Sequence, residues 1–261
     1  MSLNLLLWIV SAIGEAVVIG LLAYRKTWKT LPWFFLFCVW ALTSDIAEYV
    51  VSTHFRSAYL NTYFIARIIE SVLEFGVLVE LAWSVFRPYQ KSLPRATVWV
   101  LGIVLGATGA AIWPFVRVAG LAHERAQWQY LGRVEQTDSI LKVLLFLILA
   151  GCSQLLSIGW RDRELQVATG FGFYSLAALA VSMVHTHQTA GAQYLRLDQI
   201  LVGCYVCSLA YWVFSFAQKE VERREFSPQM QGLLLAVAGA ARSTRISMTE
   251  GTGKPANGGH R

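Results

Sequence analysis

Seven blocks of this chain are apolar over roughly the 20 residues that a helix needs to cross the hydrocarbon core of a bilayer. They cover about residues 3–24, 31–53, 60–86, 97–116, 137–160, 165–186 and 197–217. Lipid offers backbone N–H and C=O groups no partner, so segments of this kind are spanning helices unless they close into a barrel. The short alternating segments of a membrane barrel are absent. The expected fold is therefore an all-α, seven-helix transmembrane bundle over residues 1–225. A tail over 226–261 follows, with a short interfacial block at 233–241 and then a polar, Gly-rich stretch without fixed structure.

Composition agrees. Hydrophobic residues make up 56% and charged residues 15% of the 261, with a mean hydropathy of +0.48. Soluble domains carry about a quarter charged residues, so a soluble enzyme and a disordered chain are both excluded. The net charge of +6 does not gather into a patch, which argues against nucleic acid as a partner. The bilayer itself is the first expected partner.

Basic residues sort by connection. Arg25, Lys26, Lys29, Arg87, Lys91, Arg95, Arg161, Arg163, Lys219, Arg223 and Arg224 fall on one side, in short links. Arg56, Arg117, Arg125, Arg133 and Arg196 fall on the other. The positive-inside rule then puts the N-terminus outside and the C-terminus in the cytoplasm. The first block has its basic cluster after it, the reverse of a cleaved signal peptide, and is read as a retained helix. The connection at 117–136 reads as a short amphipathic segment on the outer face. Residues 218–228 read as a charged extension of the last helix, open to a cytoplasmic protein partner.

Cys38, Cys152, Cys204 and Cys207 all fall within spans, and the lone Cys204-x-x-Cys207 pair reads as small apolar packing. Gly102, Gly106 and Ala110 form a small-residue face on the fourth helix, suited to close packing inside the bundle. The outer links contain no Asn-x-Ser/Thr acceptor and no cysteine. A bacterial inner membrane is the more economical location.

The functional lead is charge inside the spans, where each ionisable group costs about 2.5–3.5 kcal/mol on insertion scales. Arg67, Glu70 and Glu74 share one stripe of the third helix, because residues three and four apart stack on one face. Asp45 and Glu48 stand one turn apart on the second, and Glu15 lies on the first near Ser11. Asp138 and Lys142 open the fifth as an i,i+4 pair. Asp198 stands near the start of the seventh, two turns before Tyr205. At about 1.5 Å per residue, most of these groups lie in the outer half of the bundle. Seven acids (Glu15, Asp45, Glu48, Glu70, Glu74, Asp138, Asp198) face two fixed bases, Arg67 and Lys142. Such an excess calls for protons or a bound cation. The expected site is an acidic, outward-facing cavity binding a small polar or cationic ligand, or protons. Glu80, on another face near the inner end, is expected to snorkel or pair locally.

Three functional readings follow: a binding or sensing bundle, a proton- or cation-coupled transporter or channel, and an outer-leaflet metal-dependent hydrolase. Mid-span prolines are missing, which favours the first over the second. The third would draw on His185 and His187, which diverge by 200° on a continuous helix, and neither HExxH nor HxxxH is present. Pure structural pairing of the charges is the alternative to all three. No cofactor motif is found. The seventh span has no lysine for a retinal Schiff base and no Asn-Pro pair, so the motifs of rhodopsins and G-protein-coupled receptors are missing.

Overall fold

The computed structural model describes residues 3–55, 58–85, 96–116, 126–151, 162–185 and 192–218. The chain is an all-helical, multi-pass membrane protein. Seven α-helices form among the described residues: α1 (Leu3–Tyr24), α2 (Pro32–His54), α3 (Tyr59–Val85), α4 (Ala96–Ile112), α5 (Ala126–Gly151), α6 (Arg163–His185) and α7 (Ala192–Ala217). Five are long and apolar enough to cross a membrane by length and composition, within Leu5–Tyr24, Pro32–His54, Thr97–Phe115, Arg163–Val184 and Arg196–Ala217. The other two, α3 and α5, carry Arg67, Glu70, Glu74, Glu80, Asp138 and Lys142.

Six helices form a ring in the order α1, α2, α3, α5, α6, α7, closed by α7 against α1, while α4 packs outside on α3 and α5. The arrangement keeps polar faces from lipid. The two charged helices turn toward each other, and α4 covers their outer side with a helix that is wholly apolar except for its hydroxyls. Gly102 and Gly106 of α4 face Val79 and Phe75 of α3, each at 3.9 Å from an ideal Cβ position, and Gly109 faces Leu141 of α5. The close approach of α4 is thus at Gly109, while Gly106 and Ala110 of the expected small-residue face are exposed.

The end of the bundle where α1, α3, α5 and α7 begin is termed the crown, and the opposite end the base. Three polar clamps organise the base. Glu80 of α3 accepts hydrogen bonds from the backbone N–H groups of Trp33 and Phe34, both at 3.0 Å. These donors lie in the first turn of α2, which opens on Pro32, where a helix has orphan N–H groups and favours a negative partner. Arg163, at the start of α6, donates to the carbonyls of Ser215 and Gln218, each at 2.6 Å. Arg25, just past α1, donates to the carbonyl of Ala217 at 2.6 Å. Two guanidinium groups therefore hold the C-terminal carbonyls of α7, where cations are favoured. Glu80, expected to snorkel or pair locally, is instead held by the backbone of a neighbouring helix.

Above the base, aromatic side chains fill the ring. Phe34 and Phe171 both meet the Trp212 indole edge-on at 5.1 Å between centroids, and Phe37 lies 5.3 Å from Phe171. Phe216 closes the layer, 5.9 Å from Phe34. The indole needs Gly170: a Cβ there would overlap Trp212. Trp212 Nε1 then donates to the Gln166 carbonyl at 3.3 Å, and Ser208 donates to the Gly170 carbonyl at 3.0 Å.

The structure corrects the fifth helix. Residues 126–136, expected to belong to a surface connection, are its first turns, so α5 begins about three turns earlier than the apolar block at 137. Helix propensity does not stop where hydropathy does, and AQWQYLGRVEQ contains no proline to interrupt it. Asp138 and Lys142 accordingly lie deep within α5 rather than at its opening. Likewise α7 starts at Ala192, which puts Asp198 in its second turn. Cys38 is buried, whereas Cys204 is half-buried and Cys207 exposed on the outer surface of α7. Cys152, most of the loop arginines and lysines, and the stub and tail beyond 218 lie outside the described residues.

Replacing Gly170 by alanine should lower thermal stability in detergent by the equivalent of about 1–3 kcal/mol, the usual range for overpacking. Gly20→Ala, where a Cβ meets nothing within 4 Å, should leave the melting temperature unchanged or slightly higher. Equal behaviour of the two variants would contradict the close approach of α7 to α6.

Candidate functional site

The ring interior between the aromatic layer and the crown is polar. Its centre is Lys142 of α5, only 4% exposed. The ammonium lies 2.6 Å from Glu74 Oε1 of α3 and 2.7 Å from Asp138 Oδ2 one turn earlier in α5. The parallel run of α3 and α5 permits the first contact, and the i,i+4 spacing the second. The same ammonium sits over the Phe171 ring, 5.4 Å from its centroid. A bare amine at this depth would be prohibitively costly, and two carboxylates plus a ring face replace its water.

One turn toward the crown, Arg67 donates to Glu70 at 2.5 Å and lies over the Tyr63 ring at 5.1 Å. Asp45 and Glu48 of α2 are half-buried within electrostatic reach of Arg67 and Glu70. Across the ring, Tyr205 of α7 donates to Glu15 Oε1 of α1 at 2.7 Å. Glu15 is 2% exposed, and its Oε2 is buried with no hydrogen-bond partner. Its electrostatic neighbours are Asp45 and Glu70. Five ring helices thus supply Glu15, Asp45, Glu48, Arg67, Glu70, Glu74, Asp138, Lys142 and Tyr205 to one interior zone.

Not every sequence-derived candidate joins it. Asp198 is exposed on α7, two turns before Tyr205. His185 ends α6, and His187 lies outside the described residues. Among the described residues no three His, Cys, Asp or Glu side chains gather to hold a metal ion. Ser11 bonds back within α1, donating to the Trp8 carbonyl at 2.9 Å.

Three participants escaped the sequence reading. Tyr174 of α6 packs edge-on against Tyr205 at 5.4 Å and lies within reach of Lys142 and Glu74. Phe171 meets the ammonium directly. Glu135, assigned by sequence to a connection, is an α5 residue within electrostatic reach of Arg67 and Lys142. The tyrosine on an apolar stretch of α6 was a visible signal. Glu135 was hidden by the displaced helix start.

The polar groups pack on one another. Two cavities among the described residues, of about 190 and 390 Å3, lie elsewhere, in the α2/α3 and α1/α7 grooves with nearly apolar walls. What the interior offers chemically is carboxylates in excess of cations, the buried Glu15 Oε2 without a hydrogen-bond partner, and aromatic hydroxyls. That set exchanges protons or holds a small cation. No family model, curated protein or solved structure matches the chain.

A double-mutant cycle tests the central contact. Lys142→Met alone should destabilise the protein by about 3–5 kcal/mol, because it leaves two buried carboxylates facing each other. Adding Glu74→Gln should recover part of that loss, with a coupling of at least about 1 kcal/mol in thermal unfolding. Simple additivity would contradict the contact.

Proposed function

We propose that the protein is a seven-span bundle that binds protons or a small cation among the carboxylates of its outer half and relays occupancy to the cytoplasmic end of α7. All seven helices span in this reading, with α3 and α5 carried by mutual pairing and by the cover of α4. The N-terminus lies outside and the base is cytoplasmic, in a bacterial inner membrane. Support for the direction comes from Arg25, Lys26, Lys29 and Arg163 at the base. The spanning domain covers 1–225, followed by the 226–261 tail.

One observation carries the reading: Lys142 is held by Glu74 and Asp138 while resting on Phe171. With Glu70 bonded to Arg67, the carboxylates of Glu15, Asp45, Glu48 and Glu135 exceed the positive charge of Arg67 and Lys142, and a low-dielectric interior does not tolerate that excess. Adding or removing a positive charge here shifts the balance around Lys142. The ammonium touches Phe171, Phe171 touches Trp212, and Trp212 bonds to α6 one turn from the Arg163 that holds the end of α7. This is a contiguous physical path. A cytoplasmic partner at 218–228 is its natural receiver.

The aromatic layer favours binding over permeation, since it fills the ring between the carboxylates and the base. Infrared difference spectra of the full chain in nanodiscs should show a protonated carboxyl band that disappears as pH rises. The midpoint should fall when potassium is added, and the band should shrink in Glu15→Gln and Asp45→Asn. Spectra without any titrating carboxyl band would contradict the reading. Vesicles containing the protein should pass no protons under a pH gradient; flux abolished by Glu74→Gln would replace binding with transport.

A further inference from the structure

A second site lies on the opposite side of the ring wall, facing lipid. The groove between α1 and α7 encloses about 390 Å3 and is bounded by Val10 and Gly14 on α1 and by Val206, Ala210, Phe214 and Ala217 on α7. Its walls are almost wholly carbon. On α7 it runs from Val206 to Ala217, about 16 Å at 1.5 Å per residue. Half of a hydrocarbon core of about 30 Å is nearly the same length. The α7 wall thus covers one leaflet, from mid-depth to the base, while the α1 wall, Val10 and Gly14, lies near mid-depth.

The base end is charged. Ala217, the last wall residue, is the residue whose carbonyl accepts from Arg25 at 2.6 Å. Lys26 follows in a left-handed conformation, φ 56°, the one non-glycine residue with positive φ among the described residues. The turn leads into Thr27–Lys29, where Lys29 stands 5.6 Å from the Trp28 ring centroid. Tyr24, Arg25, Lys26, Trp28 and Lys29 are all exposed. The groove's last wall residue thus meets Arg25, and the exposed Lys26, Trp28 and Lys29 follow it in the link from α1 to α2. Aromatic rings of this kind anchor at headgroup depth, and basic clusters beside helix grooves attract anionic headgroups.

We propose that the α1/α7 groove is a binding site for an anionic glycerophospholipid. One acyl chain lies along Val206–Ala217, and the headgroup is held by Arg25, Lys26 and Lys29. Bound lipid would brace α7 where Arg25 holds its last turn. The site is independent of the interior carboxylates.

Native mass spectrometry tests this on the full chain released from detergent with equal amounts of phosphatidylglycerol and phosphatidylcholine. Wild type should retain phosphatidylglycerol at least about five-fold over phosphatidylcholine. The double variant Lys26→Gln/Lys29→Gln, altered only at exposed side chains, should bring that ratio to about one. Ala210→Trp, which fills the channel, should reduce retention of both lipids, with an unchanged melting temperature confirming the fold. Equal retention of the two lipids by wild type would overturn the proposal. So would undiminished retention in Ala210→Trp, or a mass shift equal to a second copy of the chain in place of lipid.

Discussion

A lysine ammonium in the middle of an apolar bundle has to be answered by negative charge within hydrogen-bond distance, and much of the architecture follows from that. Lys142 is answered by Glu74 from a second helix and Asp138 from its own. The interhelical half of the contact requires α3 and α5 to run side by side with their charged faces together. Once paired, those helices cannot show the same faces to lipid. The bundle therefore closes around them, and α4 is left outside as cover. Hydropathy along the chain does not reveal this, because it weighs each helix alone. The two helices that fall short of the apolar profile bury their charged groups against each other.

The interior is layered. Carboxylates and two cations occupy the zone toward the crown, aromatic rings the zone below, and helix-end clamps the base. Each layer uses a different remedy for burial. Charges pair, rings interlock around glycines such as Gly170, and helix termini receive ionised side chains from neighbours. Glu80 on the first turn of α2 and Arg163 with Arg25 on the last turn of α7 are two signs of one rule, negative at helix starts and positive at helix ends. Loop arginines read from sequence as topology signals are also structural clamps.

Much of this was legible in the sequence. The helices follow from the length of the apolar blocks, and counting along alternating helix directions puts Lys142 in the outer half and Glu15 and Glu74 near mid-depth. The partner choices were not legible. The i,i+4 pairing of Asp138 with Lys142 is local and can be read, but the pairing of Lys142 with Glu74 depends on α3 and α5 being neighbours across an intervening helix. Tyr205 with Glu15 depends on ring closure between the first and last helices. The beginning of α5 was misplaced because polar residues extend a helix as readily as apolar ones. Glu80 reads in sequence as snorkelling or pairing locally, and its bonds to backbone groups of α2 leave no mark on the pattern.

The most direct test is a distance. Solid-state NMR on the full chain in lipid bilayers, labelled with 15N on lysine side chains and 13C on the carboxyl groups of glutamate, can detect dipolar transfer from Lys142 Nζ. The 2.6 Å contact predicts strong transfer to one glutamate carboxyl carbon, lost in Glu74→Gln. A Lys142 ammonium that transfers to no glutamate, or whose transfer persists in that variant, would contradict the pairing on which the interior site, its cover by α4 and the proposed relay all rest.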